Sequence, residues 1–211
     1  MKPEDNTSAE EIDLFTNPAT ETLLFRYYLV NHWCKGKRVL DASCGKGIGT
    51  KFLKILGAKE VVGIDISEES ITKAKESNVE GVSFMIADLC DKLDWSLDSF
   101  DTVVSIETFE HLPPECIDAY LNNLKHWCKP GGKIIITTPR RANAEWNYEG
   151  GTHLKEYSLH EFIEILTKHF SEQNLQFLGI QEVNTGKQLI SIVLEDRFYD
   201  ARVMIAIIKV N

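Results

Sequence analysis

Four acids stand at or just past the ends of four apolar runs in this chain: Asp41 after Val39-Leu40, Asp65 after Val61-Val-Gly-Ile64, Asp88 after Met85-Ile-Ala87, and Glu107 after Val103-Val-Ser-Ile106. Between the first two lies Ser43-Cys-Gly-Lys-Gly-Ile-Gly49, a turn of small residues that lets backbone come close to a ligand. A carboxylate accepts hydrogen bonds from hydroxyls and amines. Two acids and a glycine turn at this spacing suit a nucleoside-bearing ligand lying across the carboxyl ends of two parallel strands. Two histidines add proton chemistry near neutral pH: His111, just past the fourth run, and His153, in the polar stretch Gly150-Gly-Thr-His-Leu-Lys-Glu-Tyr157. Each also has a bland reading, His111 as a hydrogen-bonder within the fold and His153 as a residue that orders its loop.

The elements that must hold these residues alternate. A helix is expected over Pro18–Trp33, with Leu24, Tyr27 and Tyr28 on one face and Gly36 ending it. Strands are expected at Arg38–Ala42, Val61–Asp65, Val82–Ala87, Phe100–Ile106 and Lys133–Thr138, with helices between them. Ser67 and Ser158 stand where helix caps belong, and Ser158 with Glu161 forms a capping box. Lys129-Pro-Gly-Gly132 reads as a turn, and strands near Leu175–Val183 and Val203–Val210 close the chain. The stretch Ile190–Leu194 reads either as an extension of that last hairpin or as a segment packed separately. Serial βα units imply an open, largely parallel sheet with helices on both faces. Residues 18–211 are expected to form one domain after a flexible tail, 1–17, with a functional loop over 140–157.

The net charge of -9 argues against a broad nucleic-acid footprint, which needs clustered Lys and Arg. No apolar run approaches the ~18 residues of a membrane span. Five cysteines, Cys34, Cys44, Cys90, Cys116 and Cys128, contain no C-x-x-C pair and read as reduced thiols in a cytoplasmic protein. Cys44 reads as a small residue fitted to the turn. No acidic metal cluster is evident, so no metal is expected.

The turn alone leaves the nucleoside open. A nicotinamide dinucleotide fingerprint wants a third small residue, where this chain has Thr50 in Gly45-x-Gly47-x-x-Thr50, while Asp65 suits either ligand. Five segments in order decide the resemblance: Val39-Leu-Asp-Ala-Ser-Cys-Gly-Lys-Gly47, Val62-Gly-Ile-Asp-Ile-Ser67, Ala87-Asp-Leu89, Phe100-Asp-Thr-Val-Val-Ser-Ile-Glu-Thr-Phe-Glu-His111 and Cys128-Lys-Pro-Gly-Gly132. Over Gly36–Pro139 the chain resembles the class I S-adenosylmethionine-dependent methyltransferases, and in particular the small-molecule branch that contains the ubiquinone and menaquinone biosynthesis enzymes.

That resemblance implies a Rossmann-like, seven-stranded, mostly parallel sheet with an antiparallel last strand. It implies S-adenosylmethionine as methyl donor, S-adenosylhomocysteine as product, and in-line transfer to an oxygen or nitrogen of a small molecule. The cofactor contacts it implies are the backbone of Ser43, Gly45 and Gly47, with Asp41 reaching the ammonium through water or backbone. Asp65 would take the ribose, Ile66 and Leu89 would flank adenine, and Asp88 would take its amine. Ile106 and Glu107 would line the sulfonium end, and Arg26 would meet the methionine carboxylate. Tyr27, Tyr28, His32 and Tyr157 are expected around the acceptor, and His153 or His111 as its base. Ser43 departs from the family's usual glycine. Rival readings are a non-catalytic S-adenosylmethionine-binding protein and a protein or peptide methyltransferase. The assembly is expected to be a monomer or weak homodimer, without nucleic acid or membrane.

Overall fold

A computed structural model describes residues 18–91, 100–141, 153–184, 188–193 and 201–211. The expected tail and residues 142–152 of the expected loop lie outside that set.

Helix α1 (Pro18–Val30) leads through a short 3-10 turn into β1 (Arg38–Ala42). Then follow α2 (Ile48–Ile55), β2 (Glu60–Asp65), α3 (Glu68–Lys75), β3 (Val82–Ile86), β4 (Phe100–Ile106), α4 (Ile117–Trp127) and β5 (Cys128–Pro139). The chain continues with α5 (Leu159–His169), β6 (Leu175–Asn184), β7 (Gln188–Val193) and β8 (Val203–Lys209). One sheet runs in the order β3-β2-β1-β4-β5-β8-β6-β7. The first five positions are parallel. Strand β8 inserts antiparallel between β5 and β6, and β7 pairs antiparallel with β6 at the edge. The open doubly wound sheet is thus as expected, and the stretch left open at Ile190 joins the hairpin as an eighth strand.

The central strands read as continuous apolar runs because helices cover both faces. Side-chain alternation divides each strand between two cores. Leu40, Ile64 and Val103 pack with Leu121, Leu124 and Trp127 of α4 and Phe162 of α5. Their neighbours Val39, Val61 and Val104 pack with Tyr27 and Val30 of α1 and Leu53 of α2. The helix starts follow the sequence signals. Ser67 Oγ accepts from Ser70 N at 3.1 Å, and the Ser158–Glu161 box forms in both directions. The Lys129–Gly132 turn proves to be a bend inside β5, where Gly131 takes φ +80° and donates its N–H to Val210 O.

The thiol expectation is corrected. Cys90 and Cys116 form a disulfide, which joins the segment after β3 to the turn before α4. Their 26-residue separation carries no recognisable spacing motif; only the parallel sheet brings the two segments together. Cys34, Cys44 and Cys128 are free and buried. Burial pushes the Cys44 thiol up, away from a nucleophile's range. Among the described residues no helix is long and apolar enough to cross a membrane.

Candidate active site at the carboxyl rim of the sheet

The strand order reverses between β1 and β4, and the turn after β1 sits at that switch point. Ser43 N and Cys44 N both donate to Ile64 O at 2.8 Å, which folds the turn back over β2. Ser43 holds φ +73°, a left-handed conformation in which a Cβ is strained. That explains why glycine suits the position better. Asp65 then fixes both sides of the turn: Oδ2 accepts from Gly45 N at 2.7 Å and Oδ1 from Ser67 N at 2.9 Å. Each carboxylate oxygen keeps a second lone pair for a ligand.

A cavity of about 270 Å³ opens beside it, walled by Ser43, Asp65, Ile66, Asp88, Leu89 and His111, among others. Ile66 is exposed there. Asp88 Oδ1 accepts from Cys90 N at 2.8 Å, so its carboxyl is held rather than loose. The Cys90 end of the disulfide also lines this wall.

Asp41 and Tyr27 require correction. Asp41 is fully buried beneath the turn rather than facing the cavity. Thr50 Oγ1 donates to its Oδ2 at 2.6 Å, and the Tyr27 hydroxyl donates to both oxygens at 3.0 and 3.2 Å. Tyr27 is therefore a core residue that ties α1 to the turn, not part of an acceptor pocket. Burial pushes the Asp41 carboxyl up to about 6, against the two hydrogen bonds that favour its charged form. A carboxyl raised on folding stabilises the protein most below its unfolded value, and that contribution is lost as pH rises through about 6. The shift is about two units at about 1.4 kcal/mol each. The stability of the native chain relative to Asp41→Asn is therefore expected to fall by about 2 kcal/mol between pH 4 and pH 7. Urea titrations of both proteins across that range would check it, and parallel curves would show that Asp41 does not carry the burden.

Other expected acceptor residues are scattered. Tyr157 is 2% exposed, its ring packed 4.9 Å from that of Phe109, so it belongs to the core. His32 lines a cavity with Lys37, Lys129 and Lys133 at the amino ends of β1, β4 and β5, the opposite rim. Tyr28 is exposed on α1. Ile106, expected at the sulfonium end of the cofactor, is buried with the α1 and α2 core.

The two candidate histidines come together. His111 sits on a 3-10 turn after β4, and the ring of His153 lies 4.9 Å from it, near perpendicular. The chain after His153 is anchored because Leu154 N and Lys155 N both donate to Glu110 O, at 2.8 and 3.1 Å. The side chain of Glu110 then lies beneath both rings and is 1% exposed. Its Oε2 accepts from Thr138 Oγ1 at 2.9 Å. Its Oε1 lies 3.8 Å from His111 Nε2 and 4.0 Å from His153 Nε2. Burial first, and then the charge of Glu107, push its carboxyl up to about 7. Sequence reading leaves Glu110 evenly balanced between a functional acid and a solvated helix start. The signal that could have decided it is its place one residue before His111 in a segment whose Phe109 side chain turns inward.

Residues 39–132 match the family model of a methyltransferase domain. A solved S-adenosylmethionine-dependent methyltransferase from Archaeoglobus fulgidus shares the fold with a TM-score of 0.73 at 22% identity, over 94% of this chain and 97% of that one. The fold is that of the class I methyltransferases. Phosphoethanolamine N-methyltransferase 3 of Arabidopsis thaliana is 32% identical over 131 residues, 60% of this chain and 26% of that protein. A ubiquinone biosynthesis O-methyltransferase of Nitrosococcus oceani is 35% identical over 120 residues, 54% of this chain and 49% of that protein. The chain thus spans from about a quarter to about half the length of these curated relatives.

The class I methyltransferase cofactor is S-adenosylmethionine, and the rim can be tested against it. Asp65 offers lone pairs beside the turn, and Asp88 lies across the same cavity. Arg26 reaches over from α1 and pairs through one terminal nitrogen with Glu107 Oε2 at 3.1 Å. Its Nε is buried with no hydrogen-bond partner, a donor suited to a carboxylate. Glu107 itself is set by φ +51° and by a 2.7 Å hydrogen bond from Thr137 Oγ1 to its Oε1. The residues fit the cofactor at both its nucleoside and amino-acid ends.

Proposed function

We propose that this chain transfers a methyl group from S-adenosylmethionine to an oxygen or nitrogen of a small-molecule acceptor. The observation that carries the reading is the cavity at the switch point, with Asp65 and Asp88 on its wall and His111 at the same opening. S-adenosylmethionine supplies, when bound, a methyl group already activated by a sulfonium. The chain's task is alignment. Asp65 accepts the ribose hydroxyls, Ile66 and Leu89 enclose the adenine, and Asp88 accepts its amine. Arg26 takes the methionine carboxylate with its unpaired Nε, while Glu107 holds the Arg26 guanidinium in place.

A hydroxyl acceptor must also shed a proton as the new bond forms, and His111 with His153 forms the titratable group at that end of the cavity. The relatives named for phosphoethanolamine and ubiquinone biosynthesis favour a small acceptor. The acidic chain offers little to a nucleic acid.

Titration calorimetry with S-adenosylmethionine, S-adenosylhomocysteine and NADH tests the cofactor, with binding of the first two alone expected. A screen of hydroxyl- and amine-bearing small molecules, read by S-adenosylhomocysteine release, tests the reaction. In that assay His153→Ala is expected to lower kcat by about a hundredfold, the lower end of what a positioned proton-handling group contributes, and to leave cofactor affinity within about twofold. Unchanged kcat would remove His153 from the acceptor chemistry. Cofactor binding without release of S-adenosylhomocysteine from any acceptor would favour a non-catalytic binding protein.

A further inference from the structure

We infer that the Cys90–Cys116 disulfide is a redox switch for the cofactor cavity: closed, it holds two of the cavity's walls together, and opened by a dithiol it loosens the wall that carries Asp88 and weakens cofactor binding. The identity of that ligand rests on the proposed function; the bond and the walls it joins do not.

One wall of the cavity is built from residues 87–90, just past β3, and another from Thr108, Leu112 and Pro113, past β4. Cys90 belongs to the first, and its own N–H, donated to Asp88 Oδ1 at 2.8 Å, holds that carboxyl. Cys116 stands behind the second, where its N–H donates to Pro113 O at 2.9 Å. The disulfide thus ties two ligand-facing segments through atoms one hydrogen bond from the cavity lining. The two ends are unequal. Cys116 is 4% exposed and sits in the core with Ile117, Tyr120 and Leu121, a fixed anchor. Cys90 is half-buried and follows the edge strand of the sheet, so its segment has the weaker support. Asn123 of α4 adds a second tie, donating through Nδ2 to Leu89 O at 2.9 Å and to Asp91 O at 2.7 Å. Opening the bond therefore leaves the Asp88 segment attached but less fixed. Having to fix about one residue's backbone again on binding lowers affinity about tenfold. A domain of this length has core enough to fold without a staple, so stability alone does not account for a bond at the ligand wall.

In the opening step a thiolate of the dithiol attacks Cys90 Sγ, the more accessible sulfur. The Sγ–Sγ bond breaks, and Cys116 leaves as a thiolate that takes up a proton. The dithiol's second thiol then displaces Cys90 from the mixed disulfide. The protein gains two electrons and two protons, and the dithiol becomes a disulfide. The coupling is reciprocal. If reduction costs about tenfold in cofactor affinity, saturating cofactor makes the bond about tenfold harder to reduce, a midpoint lowered by about 30 mV for two electrons.

The test uses the full chain, oxidised or treated with dithiothreitol, with thiols counted after denaturation. Three free thiols are expected before reduction and five after it. Calorimetry with S-adenosylhomocysteine should then show affinity about tenfold weaker in the reduced protein. Cys116→Ala removes the bond from behind the wall without altering the lining. It should bind as weakly as the reduced protein, and dithiothreitol should change it no further. A crosslink that only stabilises the fold would leave the affinity of folded, reduced protein unchanged; circular dichroism checks the folding. Redox titration with and without S-adenosylhomocysteine should give the shift of about 30 mV. Five thiols before reduction, or a reduced form that binds as tightly as the oxidised one, overturns the switch and leaves the function standing. No binding in either state defeats the functional reading, and the switch with it.

Discussion

Asp65→Ala is expected to weaken S-adenosylmethionine binding by about a hundred- to ten-thousandfold, with the protein still folded. Two contributions add. A carboxylate that accepts both ribose hydroxyls makes two charge-assisted hydrogen bonds, each worth about 1.5–3 kcal/mol. The same carboxylate holds Gly45 N at 2.7 Å and Ser67 N at 2.9 Å, so its removal also releases the turn against which the ligand must lie. Preorganisation is lost together with the contact. Asp65→Asn separates the two contributions. The amide oxygen can still anchor one backbone N–H, while its nitrogen cannot accept from a hydroxyl, and a loss nearer tenfold is expected. Calorimetry on both variants, with circular dichroism as a check on folding, makes the comparison. Native affinity in Asp65→Ala would remove the ribose assignment and with it the main support for this cofactor.

What could be read from the chain beforehand follows from how local each signal is. Ser67 and Ser158 cap helices through atoms three residues away, so the sequence shows both partners at once. The rim of acids was readable because a parallel strand carries its carboxyl end to the same edge every time, and Asp65 and Asp88 meet across one cavity for that reason. Asp41 sits at the same kind of position yet turns inward. Its partner, the Tyr27 hydroxyl, arrives from a helix 14 residues earlier, and only the packing of α1 on the sheet decides which way the carboxylate goes. The same holds for Tyr157, drawn under Phe109, and for Glu110, whose exposure depends on a chain that returns 43 residues later. The Cys90–Cys116 bond is the plainest case, since odd cysteines without a spacing pattern look identical whether or not the fold brings two together.

Gly49→Ala is expected to destabilise the chain by about 3–5 kcal/mol, although alanine is normally the better helix former by about 1 kcal/mol. Gly49 lies in the first turn of α2, buried against α1. A Cβ built there falls inside the Tyr27 ring, closer than any van der Waals contact allows. The ring is 3% exposed and tethered through its hydroxyl to Asp41, so it has little room to yield. Overpacking of this kind costs about 1–3 kcal/mol, occasionally more. If the ring swings away, Asp41 keeps only the Thr50 hydroxyl, and an under-satisfied buried carboxylate adds roughly 1–3 kcal/mol. For a chain of this size the sum corresponds to a Tm lowered by about 10 °C. The cause can be isolated with Tyr27→Ala. In that background the clash is gone, and Gly49→Ala should be neutral or slightly stabilising, a strong non-additivity for residues in contact. Additive losses would mean that the ring is not what excludes the methyl group. The cofactor reading sharpens the expectation, because Gly47, the residue that caps the start of α2, lies in the same turn that Asp65 holds through Gly45. A helix pushed off α1 carries that turn with it, so calorimetry on Gly49→Ala at low temperature, where the protein is still folded, should also show weakened S-adenosylmethionine binding.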